Sequence, residues 1–501
     1  MCYARIYSGV ISSRVYLCEL IACVDVNTGC KTLPGYNGKV LYPLCTVLDA
    51  GSSRTTVYVY EWPAEKANDT GVVSQTFKCN VKGPGISSYG TSPREVAKPI
   101  DDCMKKVTEK VPSDMHKNTP AYLGATAGMR LLRLQNETAA NEVLASIQSY
   151  FTTQPFDFRG AQIITGQEEG VYGWITANYL METFAGVNHI IDAETTGALD
   201  LGGASTQISF IPDDTLKTFN STLQVHLYGY EYSVYTHSYQ CYGRDEAEKR
   251  LLASLLQSQI DNPCYPQNYE TVLTMKHVCG SLCTQSVRPA NYNPDRLIHF
   301  RGTGDTAFCQ EVVSLLFNFT ACNDKEDCSF NGIRQPKVKG KFVAFSGFYY
   351  TVNALNLTGQ FSLTDFNSSM WLFCSQNWNQ YMLPKFEETY ARSYCFSANF
   401  IYYLLIQGYK FSADTWSQIH FQKEVDNSSI AWSLGYMLSL TNMIPAEIQL
   451  IHLPMNPSVF AGLLLFFTAL TVLCLIFLVY LCVVSHMQKN ISHVDQVLAT
   501  E

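Results

Sequence analysis

Two short segments of the chain repeat the same order of residue types, at residues 47–55 and 198–206. Each is an apolar run that ends in an aspartate, Asp49 or Asp200, and is followed by glycine, small hydroxyl residues and a strand-like alternation. This order predicts a strand, a glycine turn and a returning strand. A single copy is more often an ordinary hairpin turn. Two copies indicate a duplicated half-domain in which two loops face one cleft.

The residue types of these loops favour phosphate as the ligand. Because glycine lacks a Cβ, the N–H groups of a glycine turn can approach and surround a phosphate. An aspartate at the end of the strand supplies a carboxylate for a hydrated divalent cation. The duplicated loops therefore predict a cleft that binds nucleotide phosphates.

Composition and charge restrict the class of protein. The chain has 501 residues, of which 47% are hydrophobic and 16% charged, so it is not a disordered chain and its length predicts two or three domains. The formal net charge is -8, and the basic face typical of a nucleic-acid binder is not expected. A polyanionic substrate must then be held locally, by a metal and backbone amides.

Residues 459–484 form an apolar run without a charged residue. The run is longer than the roughly 20 residues that cross a bilayer core, and it lacks the polar stripe of a buried core helix. We expect a transmembrane helix there, followed by a cytoplasmic tail at 485–501. The tail has one Lys and no Arg, so the positive-inside rule gives almost no signal for orientation.

Sequons and cysteines predict the orientation instead. Seven Asn-X-Ser/Thr sequons precede the apolar run, at Asn68, Asn136, Asn220, Asn318, Asn356, Asn367 and Asn427. Eleven cysteines lie between Cys79 and Cys395 without the spacing of a zinc site, so disulfides are expected, with Cys279 as the candidate for the odd one. Both features favour a lumenal or extracellular domain. In residues 1–45 Glu19 and Asp25 interrupt the best apolar run, and no leader or anchor is recognised.

Between the two loops, strand-like and helix-like patterns alternate. Helical patterns cover residues 96–110 and 137–150, and strand-like runs at 121–125 and 161–165 each lead into a glycine-containing turn. This alternation predicts a mixed sheet covered on its faces. The second turn contains Glu168 and Glu169, which are either a solvated turn or a carboxylate at the mouth of the cleft that orients water.

Five ordered motifs resemble the apyrase regions of the membrane-bound ectonucleoside triphosphate diphosphohydrolases, the CD39 family. They lie at residues 49–53, 124–130, 166–170, 200–207 and 432–437, and residues 131–141 and 390–399 are most similar to the type 3 subgroup. The resemblance implies an α/β fold with the two-lobe actin, Hsp70 and sugar-kinase architecture, a ribonuclease H-like duplication. It implies Ca²⁺- or Mg²⁺-dependent removal of terminal phosphate from extracellular nucleoside tri- and diphosphates, which regulates purinergic signalling. The oligomeric state stays open, with a homo-oligomer among the possibilities.

The resemblance also implies roles for individual residues. Glu169 would be the general base, with Ser205 and Gln207 holding the water, and Asp49 and Asp200 would act on the metal through its waters. The implied phosphate and base contacts are Ser52, Ser53, Arg54, Thr126, Gly203 and Ala204, with Tyr350 and Tyr394 on the base. The implied disulfides are Cys79 with Cys103, Cys241 with Cys283, Cys264 with Cys309, Cys322 with Cys328, and Cys374 with Cys395.

We expect lobe I at 46–164 and 427–456, and lobe II with a disulfide-rich insertion at 165–426. Two segments depart from the family pattern, the stretch before Asp49, which includes Pro43, and a short loop at 185–194. One alternative is therefore a catalytically impaired nucleotide-binding ectodomain. Another is a kinase or chaperone-type ATPase of the same fold, against which the sequons and cysteines argue.

Overall fold

The structure is a computed structural model that describes residues 43–62, 66–67, 70–184, 194–213, 221–258, 261–323, 325, 327–381, 386–442 and 457–498. The expectations for residues 1–42, for Asn68 and Asn220, and for most of the loop at 185–194 lie outside these ranges.

The strand that carries Asp49 lies at the centre of the first sheet. In sheet order the strands are Ser74–Asn80, Thr55–Glu61, Leu44–Ala50, Pro120–Ala125 and Asp157–Ile163. Leu44–Ala50 pairs antiparallel with the returning strand and parallel with Pro120–Ala125. Pro43 precedes this strand, so its missing N–H removes no bond from either ladder. The first strand is therefore fully paired despite the unusual sequence before it.

The second sheet repeats this arrangement around Asp200. In sheet order its strands are Thr222–Leu227, Tyr230–Gln240, Ser205–Phe210, Gly197–Leu201, Phe342–Ser346 and Ile419–Phe421. Gly197–Leu201 again pairs antiparallel with its returning strand and parallel with a later strand, Phe342–Ser346. The duplication predicted from the two loops is confirmed by these two matching sheets.

Helices cover the faces of both sheets. They are Ala97–Lys110, Ala127–Gln135, Glu137–Phe151, Gly166–Leu180, Arg244–Ser258, Met275–Cys279, Thr306–Ser314, Gly347–Ala354, Leu363–Cys374, Trp378–Tyr381, Glu388–Ala391, Tyr394–Tyr403, Ala413–Trp416 and Trp432–Asn442. The short strands are Lys66–Ala67 with Thr70–Gly71, Asp261–Asn262 with Leu297–Gly302 and Glu270–Thr274, and Glu424–Val425 with Ser428–Ser429. The helices expected near 96–110 and 137–150 are confirmed, whereas the turns expected after residues 125 and 165 are the first turns of further helices.

Two helices, Gly166–Leu180 and Trp432–Asn442, share one apolar core with side chains from both sheets. They cross closely because Gly435 has no side chain, and a Cβ there would lie 2.0 Å from the Tyr172 carbonyl oxygen. The Thr176 hydroxyl donates to the Ala431 carbonyl at 2.7 Å and accepts from the Gly435 N–H at 2.8 Å. These contacts hold the helix Trp432–Asn442 against the helix Gly166–Leu180, which carries Glu169.

Five disulfides stabilise the chain, with the pairs that the family resemblance implies. They are Cys79–Cys103, Cys241–Cys283, Cys264–Cys309, Cys322–Cys328 and Cys374–Cys395. Cys279 is unpaired and buried. Four of the five bridges lie after residue 240, in the part of the chain where a disulfide-rich insertion is expected.

The last helix, Pro457–Leu498, contains the apolar run. Within the described part of the chain, its segment Ala461–Ser485 is the one helical stretch long and apolar enough to cross a membrane. This agrees with the spanning segment predicted at 459–484.

Candidate active site

A cavity of about 470 Å³ lies between the two aspartate loops. Most of the predicted site residues form its wall, namely Asp49, Ser52, Ser53, Arg54, Thr126, Glu169, Asp200, Gly203, Ser205, Tyr350 and Tyr394. Gln207 does not line the cavity, and its amide nitrogen donates a hydrogen bond to Glu169. Ala204 is buried beside Ala127 and Leu131. The fold therefore assembles residues that are up to 345 positions apart in the chain, from Asp49 to Tyr394.

The carboxyl groups of the two aspartates have similar pKa values and different hydrogen-bond partners. Burial raises the pKa of Asp49 and the pKa of Asp200 to about 7 each, and the nearby Glu169 carboxylate adds to both shifts. The Trp432 indole N–H donates to Asp49 Oδ1 at 2.7 Å. Asp200 Oδ1 has no hydrogen-bond partner in the described part of the chain. An unpartnered buried carboxylate oxygen at a cavity wall is available to a cation.

These residues fit a hydrated divalent cation. No group of three or more His, Cys, Asp or Glu side chains is arranged to hold a metal within the ranges that the structure describes. Asp49 and Asp200 can still bind a cation that keeps several waters and gains phosphate oxygens from a substrate, as magnesium does in nucleotide sites. Their hard oxygen donors agree with such an ion.

Glu169 is placed by the start of a helix. Thr165 caps the helix Gly166–Leu180, and its side chain and that of Glu168 form a reciprocal capping box. Glu168 therefore stabilises the helix end, while Glu169 is 6% exposed and lines the cavity. The interpretation as a solvated Glu-Glu turn is wrong for Glu169. The Thr-x-x-Glu spacing is a helix-start signal that could have separated the two residues beforehand.

Two side chains hold one oxygen of Glu169. Arg130 Nη2 donates to Glu169 Oε2 at 2.8 Å, and Gln207 Nε2 donates to the same oxygen at 3.0 Å. Both donors also contact the Ser205 hydroxyl, at 3.1 Å from Arg130 and 2.7 Å from Gln207. Within the described ranges, neither donor occupies Glu169 Oε1. That oxygen can accept a proton from a water held beside Ser205.

A second layer of side chains supports this pair of donors. The Ser238 hydroxyl accepts from Gln207 at 2.9 Å, and Gln240 Oε1 accepts from Arg130 Nε at 3.2 Å. Arg130 Nη1 donates to the Ile164 carbonyl at 3.0 Å. Sequence reasoning gave Ser238, Gln240 and Arg130 no role. The alternation of Ser238 and Gln240 on one strand face was the available signal.

Each loop is backed by a glycine that permits close approach. A Cβ on Gly85 would lie 2.3 Å from the Ser52 carbonyl oxygen, and one on Gly243 would lie 2.4 Å from the Ala204 nitrogen. Real Cβ atoms do not approach backbone so closely, so both glycines are required by packing. Each follows the strand that pairs with the returning strand of its sheet, Ser74–Asn80 or Tyr230–Gln240, and neither was singled out in the sequence.

The cavity wall also contains aromatic and cationic side chains. Arg54 Nη2 donates to the Tyr350 hydroxyl at 3.1 Å, which links the first loop to a helix of the second half. Tyr394 is almost completely buried and packs against Phe386. Tyr390, which lies 4.7 Å from the Arg244 guanidinium, also lines the cavity. The structure brings Tyr350 and Tyr394 to one cavity, and their stacking on a base stays a prediction.

Comparison with known proteins identifies related chains. The sequence profile of the GDA1/CD39 (nucleoside phosphatase) family matches residues 42–453. The human ectonucleoside triphosphate diphosphohydrolase 3 is 64% identical over 461 residues, covering 89% of this chain and 87% of that protein. The chicken ectonucleoside triphosphate diphosphohydrolase 8 is 46% identical, covering 87% of this chain and 90% of its own. The mouse ectonucleoside triphosphate diphosphohydrolase 1 is 44% identical, covering 85% of this chain and 86% of its own.

A solved structure has the same fold. The nucleoside triphosphate hydrolase of Neospora caninum superposes with a TM-score of 0.57 at 16% sequence identity, covering 79% of this chain and 92% of that one. At this identity the similarity concerns the fold, and it supports the predicted two-lobe α/β class.

Proposed function

The chain belongs to the GDA1/CD39 (nucleoside phosphatase) family, and we propose that it removes the terminal phosphate of extracellular nucleoside tri- and diphosphates by attack of water. Its relatives are ectonucleoside triphosphate diphosphohydrolases, so the chain is an enzyme of this divalent-cation-dependent class. The observation that carries the proposal is a carboxylate, Glu169, held by Arg130 and Gln207 beside the cavity between the two loops.

The two loops are assigned to the phosphates. The N–H groups of the glycine turns and the hydroxyls of Ser52 and Ser53 bind the phosphate oxygens, and the Arg54 guanidinium supplies positive charge at the cavity wall. Asp49 and Asp200 would hold Ca²⁺ or Mg²⁺ through its waters. When bound, the cation neutralises charge on the bridging and terminal phosphate oxygens.

The water is assigned to the second half of the molecule. The Ser205 hydroxyl orients a water toward the terminal phosphorus, and Gln207 supports it through its bonds to Ser205 and Glu169. The water oxygen bonds to phosphorus, Glu169 takes the proton, and the P–O bond to the shortened nucleotide breaks, which releases inorganic phosphate. Arg130 Nη2 lies 2.8 Å from Glu169 Oε2 and holds the carboxylate in place. Tyr350 and Tyr394 are proposed to stack on the base, a contact that every nucleobase can make.

Exposure of the sequons supports an extracellular site. Asn136, Asn318, Asn356 and Asn427 are exposed, and Asn367 is half-buried. We infer glycosylation at these positions and a folded domain outside the plasma membrane, anchored by the helix that contains Ala461–Ser485. Surface labelling of intact cells and a glycosidase-dependent shift in gel mobility test this location. A protein that stays inaccessible on intact cells and shows no shift contradicts it.

Phosphate release by the purified protein tests the activity. We expect release from both ATP and ADP, loss of release with a chelator, and recovery when Ca²⁺ or Mg²⁺ is added. Absence of release from both nucleotides under these conditions contradicts the proposal. Transfer of phosphate to an added acceptor in place of water would identify the kinase alternative.

A further inference from the structure

Among the residues that the structure describes, four cationic side chains line the cavity, and two of them lack an acidic partner. Arg244 is paired with Asp245, and Lys423 Nζ lies 3.2 Å from a Glu424 carboxylate oxygen. In the described part of the chain, Arg54 and Lys78 have no carboxylate within 4.0 Å. Arg54 was assigned to phosphate above, whereas Lys78 has no role in that account. A half-buried ammonium group without a carboxylate partner, in a cavity for polyanions, is suited to bind an anionic ligand.

Strand register places Lys78 on the same sheet face as Asp49. Lys78 pairs with Tyr58, and Tyr58 pairs with Val47, two residues before Asp49. Side chains two residues apart on a strand share a face. With strands about 4.8 Å apart and a rise of about 3.4 Å per residue, the Lys78 Cα lies roughly 12 Å from the Asp49 Cα. An extended lysine side chain can cover half of that distance, toward the middle of the cavity.

The ammonium group is held in place by neutral contacts. Lys78 Nζ donates to the Ser429 hydroxyl at 2.8 Å and lies 5.7 Å from the centre of the Tyr58 ring. The Tyr58 hydroxyl is a further hydrogen-bond partner of Ser429. Lys78 also interacts electrostatically with Tyr350 and Arg54, which line the same cavity. The other charged groups that act on it are Lys423 and Glu424.

This position matches the middle of a nucleotide. In the proposed function the terminal phosphate lies between the loops and the base lies at Tyr350 and Tyr394. A triphosphate has one more phosphate than a diphosphate between the same two anchors, so its chain must bow toward a wall and carries more charge there. A cation on that wall gains more from the triphosphate than from the diphosphate.

We propose that Lys78 binds the non-terminal phosphates of nucleoside triphosphates and sets the preference for triphosphate over diphosphate substrates. The inference rests on the proposed function, and it adds a specificity-determining residue to it. The contact is made in the ground state and in the transition state alike, so removing it is expected to raise KM rather than lower kcat.

The test is the ratio of KM values for ATP and ADP in Lys78→Met, which keeps an unbranched side chain without the charge. We expect KM for ATP to rise roughly tenfold and KM for ADP to change less than about twofold, since a charge-assisted phosphate contact is lost with the triphosphate alone. Lys78→Arg should restore most of the ATP affinity. Lys98→Met is the control, because that exposed lysine pairs with Glu95 and does not line the cavity, and its two KM values should stay near those of the parent.

Equal changes for ATP and ADP, or no change for either, would overturn the proposal. A fall of kcat for both nucleotides in Lys78→Met that Lys78→Arg does not reverse would also overturn it, because this points to damaged structure. If the parent released no phosphate from either nucleotide, the proposed function would fail. The ratio of equilibrium dissociation constants for ATP and ADP in the same variants then tests Lys78 separately, with the same shift expected.

Discussion

The Asp49 loop and the Asp200 loop have the same backbone plan and hold different side chains. Each joins a central strand to a returning antiparallel strand, and each is backed by a glycine, Gly85 or Gly243. After the turn, the first copy continues with Arg54, which contacts Tyr350 across the cavity. The second copy continues with Ser205, which contacts Arg130 and Gln207.

The difference shows how a duplicated scaffold can divide the work of one reaction. Duplication supplies two buried carboxyl groups, each with a pKa raised to about 7, in the wall of one cavity, which suits a shared cation. The chemistry is decided by the residues that follow each turn. We infer that the first copy binds the phosphate chain, whereas the second copy, together with Glu169, activates water.

The largest effect is expected for Glu169→Gln. Removing the general base should lower kcat by about 10³-fold, because positioned proton acceptors contribute 10²- to 10⁴-fold. The dissociation constant for ATP, measured by equilibrium titration, should stay within about threefold of the parent value, since other residues bind the phosphates. Glu168→Gln is the control, and it should lose some helix stability but little activity. A Glu169→Gln protein that hydrolyses ATP at the parent rate contradicts the assignment.

Arg130→Met should lower kcat by about 100-fold, because the buried Glu169 carboxylate loses its charged partner and the Ser205 contact is lost as well. The side chain is similar in length, so KM for ATP should change little. Steady-state kinetics measure both values, and a melting curve checks folding. A rise in KM without a change in kcat would show that Arg130 binds phosphate and does not position Glu169 for the attack of water.

The supporting glycines allow a direct comparison of the two loops. Gly85→Ala should displace the first loop and raise KM roughly tenfold, whereas Gly243→Ala should displace the second loop and lower kcat roughly tenfold, because each Cβ collides with loop backbone. The measurement is kcat and KM for ATP in both variants. The same parameter changing in both would show that the two loops do the same work.

The smallest effect is expected for Trp432→Phe. The Trp432 N–H bond opposes the rise in the pKa of Asp49, so its loss should favour the protonated carboxyl and weaken cation binding about threefold to tenfold, the cost of one charge-assisted bond. The cation concentration for half-maximal activity measures this. No comparable indole bond to Asp200 is seen in the described ranges, so the effect is specific to the first copy. An unchanged cation requirement contradicts this role.

Much of the fold followed from local patterns in the sequence. The repeated order of Asp, Gly and hydroxyl residues predicted the duplication, and the apolar run predicted the last helix, because both depend on neighbouring residues. The starts of the helices at Ala127 and Gly166 were missed, although the Thr165 and Glu168 capping box was readable.

The side chains that position Arg130 and Asp49 could not be predicted from local patterns. Gln240 meets Arg130 across 110 positions, and Trp432 meets Asp49 across 383. Such contacts depend on how the sheets and helices pack, so a local pattern can mark a strand face but does not give the partner of each side chain. Lys78 is a similar case, because only strand register shows that it shares a face with Asp49.

The division of work between the loops is tested most directly by the matched pair Ser53→Ala and Ser205→Ala. Steady-state kinetics with ATP at saturating divalent cation should show a higher KM with nearly unchanged kcat for Ser53→Ala. Ser205→Ala should show a kcat lowered by about 10- to 100-fold with nearly unchanged KM, because its hydroxyl serves the water in the transition state. If both variants changed the same kinetic parameter to the same extent, the two copies would have equivalent roles and the account would be contradicted.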